Sequence, residues 1–168
     1  LWEYFLFFPL EMTDGLESQC VSTFSTHPTD DETIIVGTGE PFISGGRGLW
    51  KRSGGSGWQR KTMDPEPDGF YRIRYAPDGA TVHAATTTGY YRSTDGGDTW
   101  ARTFTGWGTD LALHPSNPRV LYMPVWSQGL YKSTDAGVTW SRVIADGLPT
   151  SGVTRGAIAI GAAPAPAR

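Results

Sequence analysis

Helical spacing, cysteine, concentrated charge and long apolar runs are all scarce in this chain of 168 residues. No stretch keeps apolar residues in helical register for more than a turn or two, which argues against a helical bundle. A single cysteine, Cys20, excludes an internal disulfide and offers no thiolate metal cluster. With no histidine paired to it, that thiol is expected to be a small buried apolar group rather than a nucleophile. Charged residues make up only 18% and the net charge is −3, with no basic block. That balance speaks against nucleic acid or an anionic membrane surface as a partner. The opening LWEYFLFFPLEM is apolar but short and acidic, without Lys or Arg. It has neither the charged start of a signal peptide nor the length of a span, so no membrane insertion is expected. The chain opens on Leu1, and a truncated or processed start is the simplest account.

What is abundant is glycine, proline and tryptophan, at 22, 12 and 7 residues. Many short strands joined by tight turns suit that mix. One phrase recurs three times: GLWKRSGGSGW at 48–58, GYYRSTDGGDTW at 89–100 and GLYKSTDAGVTW at 129–140. The closing Trp58, Trp100 and Trp140 stand 42 and 40 residues apart, a period that signals stacking of one supersecondary unit. Each copy divides into four strand-sized pieces. The first is apolar and alternating, at 21–25, 72–75, 110–113 and again 156–160. A Pro-containing turn follows, then a second strand at 33–37, 81–85 and 120–124. Pro124 is expected to demote the end of its strand to an edge or loop. The third strand is the GLYK segment, and the fourth begins at the tryptophan. Four antiparallel strands per unit of this length make a blade, so the expected fold is all-β: a β-propeller fragment of about three four-stranded blades with partial flanking strands.

The boundaries follow from the repeat. Residues 1–16 hold an outer strand of a preceding blade and a linker; 17–63, 64–105 and 106–146 are blades one, two and three; 147–168 start a fourth and end Ala/Pro-rich. Asp14-Gly15-Leu16 returns as Asp146-Gly147-Leu148, an offset of 132, or three periods of 44. Three units leave two bare faces, so the remaining blades of the same propeller are the expected partners and the chain reads as a piece of a longer polypeptide. Alternatively, the N-terminal strand completes the last blade and closes a small ring.

Residues 93–100 and 133–140 match S-x-D-x-G-x-T-W. The motif resembles the Asp-box, or BNR repeat, of a superfamily that includes sialidases, xyloglucan hydrolases, sortilin-type receptors and a photosystem II assembly factor. The resemblance covers roughly residues 20–160 and implies a structural role for Ser93, Asp95, Gly97, Thr99 and Trp100, and for Ser133, Asp135, Gly137, Thr139 and Trp140. The carboxylate is expected to accept bonds from backbone N–H groups and a hydroxyl, the glycine to take positive φ, and the tryptophan to plug the space between sheets. The first copy departs, with Gly54 where Asp belongs. The stretch 35–41 and the Gly-rich loop after it look most like sortilin-type or sialidase-like BNR proteins. That likeness implies an extracellular, cell-surface or periplasmic location.

Alternating strands put the motif turns on one rim and the remaining loops on the other, which is the expected ligand face. Its residues are Glu40, Phe42, Arg47, Tyr71, Arg72, Trp107, Asp110, Trp126, Gln128 and Arg155. Glu40 and Asp110 are candidates for an acid/base pair, which glycoside hydrolysis needs at about 5–9.5 Å. Arg72, within Phe70-Tyr71-Arg72-Ile73-Arg74, resembles the carboxylate-gripping arginine of the sialidase F/Y-R-I-P segment, although Arg74 stands in place of the proline. No metal site or cofactor is indicated, since His27, His83 and His114 lack ligand spacing. Three functions remain open: a ligand-binding or scaffolding propeller segment for a glycan or protein, part of a secreted glycoside hydrolase, or an assembly factor.

Overall fold

Twelve strands form three four-stranded sheets. In this computed structural model residues 16, 20–40, 44–148, 152 and 154–161 are described, residues 40 and 44–47 in backbone only. The first sheet holds β1 (Val21–Thr26), β2 (Ile34–Glu40), β3 (Ser44–Arg52) and β4 (Gln59–Lys61). The second holds β5 (Phe70–Tyr75), β6 (Val82–Thr86), β7 (Tyr90–Ser93) and β8 (Ala101–Phe104). The third holds β9 (Ala112–His114), β10 (Asn117–Val125), β11 (Gly129–Ser133) and β12 (Ser141–Arg142). Every sheet is an antiparallel meander in chain order. Among the described residues none is helical.

Side-chain chemistry sets the first turn of each unit. The Asp30 carboxylate accepts from Glu32 N at 3.1 Å and Thr33 Oγ1 at 2.7 Å. Asp78 repeats this with Ala80 N, Thr81 N and Thr81 Oγ1. In the third unit Asn117 Oδ1 accepts from Arg119 N. These are Asx turns, which mimic a backbone turn at a Pro-rich corner. His27 and His114 contribute in the same place, each Nδ1 accepting the amide two residues on.

The core lies between sheets. Ile35, Leu49, Phe70, Ile73, Val82, Ala84 and Tyr91 are buried together between the first two, with Trp100 against them. Ala85, Tyr90, Leu111, Leu121, Met123 and Val125 fill the second interface, beside Trp140. Each fully buried side chain of this size contributes about 1.5–3 kcal/mol. The inner strands are also linked by polar rungs. Thr23 Oγ1 and Ser25 Oγ on β1 accept from Ile73 N and Tyr75 N on β5, at 3.2 and 3.1 Å.

Four expectations need correction. Pro124 lies inside β10, buried and in register with Leu130. Its carbonyl accepts from Thr109 N, so its nitrogen faces the same side, beyond the end of the β9 ladder at Ala112–Tyr122, where the Gly108–Val125 bridge and that one bond hold the strand end. The outer strands begin one residue after Trp58, Trp100 and Trp140, because the tryptophan still belongs to the turn: Trp100 Nε1 donates to Gly97 O at 3.0 Å. Residues 156–160 join no ladder. Cys20 is exposed, standing just ahead of β1, where its carbonyl accepts from Gly39 N. The outer strand placed within residues 1–10 falls outside the described residues.

Candidate functional site

The two rims of the sheets differ in kind. On one, the turn at 93–100 wraps the Asp95 carboxylate. It accepts from Ser93 Oγ at 2.7 Å, Asp98 N at 3.0 Å, Thr99 N at 2.9 Å and Thr99 Oγ1 at 2.6 Å. Asp135 accepts likewise from Ser133 Oγ, Thr139 N and Thr139 Oγ1. Burial opposes ionisation of Asp95, but the bonds from Thr99 and Ser93 outweigh it and hold the carboxyl well below its usual range. Asp135 is pulled down to about 2, chiefly by the Thr139 hydroxyl and amide. A carboxylate saturated by local donors suits a fold element better than proton transfer.

The other rim gathers aromatic side chains from separate segments. Tyr71 enters on β5, Trp107 on the link from β8 to β9, and Trp126 on the β10–β11 turn. Trp126 N donates to Trp107 O at 2.8 Å, which sets the two residues side by side. Their indoles stack at 4.7 Å with a 16° tilt, and Tyr71 lies 6.2 Å from Trp107. The Arg155 guanidinium sits over the Tyr71 ring at 5.5 Å, a cation–π distance. Gln128 is exposed beside them and accepts from the Tyr131 hydroxyl at 3.2 Å.

Arg72 and Asp110 are joined at this rim, with Nε donating to Oδ1 at 2.6 Å. Asp110 is buried and also accepts from Leu111 N at 2.8 Å and Ile158 N at 2.9 Å. Burial raises its pKa, but the Arg72 bond and the two amides more than reverse this and leave it below the ordinary value. One carboxylate thus ties β5, the approach to β9 and the 156–160 segment together. Thr109 Oγ1 adds a donor to Gly156 O and accepts Gly156 N. The side chains of Glu40 and Arg47, and Phe42 altogether, lie outside what is described, so the Glu40–Asp110 separation has no counterpart here. Among the described residues no group of three His, Cys, Asp or Glu could hold a metal ion. None contains a helix long and apolar enough to cross a membrane.

Sequence reasoning missed two residues that matter for the sheet packing. His83 and Tyr90 are fully buried between the second and third sheets, with Nδ1 and Oη 2.5 Å apart. Their register on facing strands was the available signal.

Three stacked meander sheets with this inner-strand arrangement define a β-propeller, here three blades and a flanking segment. No protein-family model and no curated protein sequence matches the chain. Among solved structures it is similar to a GH74 enzyme of Niastella koreensis, at 18% identity and a TM-score of 0.60 over 75% of this chain and 23% of that one. It is similar to the GH74 xyloglucanase of Xanthomonas campestris at 21% identity and 0.59, over 73% of this chain and 20% of that one. It also resembles YCF48 bound to D1 peptide, at 19% identity and 0.52, over 72% of this chain and 40% of that one. At these identities the likeness is one of fold. The chain spans about a fifth of the GH74 enzymes and two fifths of YCF48.

Proposed function

We propose that this chain is a ligand-binding or scaffolding segment of a BNR-repeat propeller, sortilin-like or sialidase-like, whose S-x-D-x-G-x-T-W turns are Asp-boxes. The ligand, a glycan or a protein segment, is read on the rim that carries Tyr71, Trp107, Trp126 and Arg155. The convergence of those four side chains from four separate stretches of chain carries this reading. Aromatic rings with one flanking cation suit either ligand: rings stack on sugar faces and equally anchor apolar side chains. The segment holds no complete active site of its own. Asp110 is already committed to Arg72 and two amides, which fits anchoring. With the family resemblance goes an extracellular, cell-surface or periplasmic location.

The second reading, part of a secreted glycoside hydrolase, draws support from the GH74 likeness, one neighbour being described as a xyloglucanase. Titration with xyloglucan oligosaccharides, followed by tryptophan fluorescence and by release of reducing ends, separates the two. Saturable quenching without turnover, weakened at least tenfold in Trp126→Ala, is the expected result for a glycan ligand. Turnover by the native chain that is lost in Asp110→Asn at unchanged melting temperature would establish the hydrolase instead. Absence of any glycan response turns the proposal to a peptide ligand, tested on the same variants.

A further inference from the structure

The three blades repeat one gripping device, and among the described residues nothing occupies the third copy. On blade one, Ile35 pairs in register with Lys51, and Lys51 with Gln59. On blade two the same positions are His83, Arg92 and Ala101. On blade three they are Tyr122, Lys132 and Ser141. Lys51 reaches forward to the turn of blade two, where its Nζ lies 3.0 Å from Asp98 Oδ2, and Lys61 joins at 2.8 Å from Oδ1. Arg92 reaches forward to the turn of blade three, donating from Nε to Ala136 O at 2.9 Å. In both interfaces a cation on the third strand holds the next blade's turn.

A small cavity marks the first of these grips, lined by Lys51, Ser53, Ser56, Gln59 and the incoming Asp98. Blade three has a cavity of about 310 Å³ at the corresponding place, with Lys132, Thr134 and Ser141 where the first has Lys51, Ser53 and Gln59. Arg142 and Thr139 add a second cation and a hydroxyl. Lys132 rests over the Tyr122 ring at 5.4 Å, and among the described residues no carboxylate pairs with it.

We propose that this cavity docks an acidic β-turn: the turn of a further repeat unit, with a carboxylate at the position that Asp98 holds in blade two. The carboxylate enters between Lys132 and Ser141, and the turn glycine packs over Tyr122 as Gly97 packs over Ile35. A second copy of this chain is a poor occupant. Its first turn carries Ser56 and Gly57 where the acid is needed, and Asp98 is already held by Lys51 and Lys61. The specificity is electrostatic, because a charge pair at a half-buried site selects for the acid over a neutral turn.

The test is an NMR titration of the isotope-labelled chain with a hairpin peptide of residues 92–102, its ends closed by an added disulfide. Saturable shifts centred on the amides of Lys132, Thr134 and Ser141 are expected. Affinity should fall about tenfold in Lys132→Met, and by a similar factor when the peptide carries Asp98→Asn, an arm that leaves the protein untouched. No shift at these amides, or equal affinity for the Asp and Asn peptides, overturns the proposal. So does a shift of the same amides with concentration of the chain alone, which would make a second copy the occupant.

Discussion

Gly97 and Gly137 answer to two constraints at once. Each takes positive φ, 92° and 83°, in its turn. A Cβ at Gly137 would also run into the Tyr90 hydroxyl, and one at Gly97 into the Ile35 side chain of the preceding blade. Gly54, in the degenerate first turn, has positive φ but open space around it. Alanine should therefore cost most at Gly137, roughly 2–4 kcal/mol from backbone strain plus overpacking. Gly97→Ala should cost somewhat less, since the tip of Ile35 can swing aside, and Gly54→Ala about 1 kcal/mol from φ alone. Asp95→Ala strips four donors of their acceptor, but water reaches those of exposed Thr99 and Asp98, so about 1–2 kcal/mol is expected. Chemical denaturation of the four variants checks the order. Equal midpoints for Gly137→Ala and Gly54→Ala would show that the inter-blade contact carries no weight.

At the scale of elements, the inner strands are held by side chains rather than by a continuous ladder. Thr23 and Ser25 serve β5, and Asp110 with Thr109 serve residues 156–160. Ile158 N donates to Asp110 as Ile73 N donates to Thr23, so both segments are held by side-chain acceptors of the preceding unit. Asp110→Ala should cost roughly 2–4 kcal/mol, since Arg72 and two amides lose their acceptor. Amide exchange at Ile158 should accelerate well beyond that at Leu121; parallel acceleration at both would mean global unfolding alone. The strands themselves were legible in the sequence, because alternation, Asp/Pro corners and a tryptophan beat all coincide at one period. The gathering of Trp107 with Trp126 and of Arg72 with Asp110 on one rim follows from strand direction. What escaped were the tolerance of Pro124 inside β10, the contact of His83 with Tyr90 across adjacent strands, and the packing demand that the preceding sheet places on the turn glycines. The glycine contacts leave no mark within their own turns, since the side chains they meet, Ile35 and Tyr90, belong to the preceding blade.

At the scale of the whole molecule, stability in such an array is close to a sum over interfaces, and the two here are not alike. The first packs Ile35 under the turn of blade two and closes with the Lys51–Asp98–Lys61 cluster. The second puts the His83–Tyr90 pair under the turn of blade three, with Tyr90 edge-on to Trp140 at 4.7 Å. His83 Nε2 is buried with no hydrogen-bond partner. Burial, and secondarily the charge of Arg92, push its pKa from 6.5 down to about 4, with Asp78 opposing. The unfolded chain therefore takes up a proton between those values that the folded chain refuses. Stability falls as pH drops below 6.5, and the loss is complete below 4, reaching roughly 3 kcal/mol. Carboxylates with lowered pKa, Asp95 and Asp135 among them, act in a separate window: their contribution is present above 3.8 and disappears only as pH falls further. Melting temperature followed from pH 7 to 4 should decline in the native sequence and stay level in the double variant His83→Leu with Tyr90→Phe, which gives the second interface the apolar character of the first. Exchange of β10 and β11 amides should quicken ahead of those in β1 and β2 over the same range. A decline that persists in the double variant would place the acid sensitivity elsewhere than the second interface.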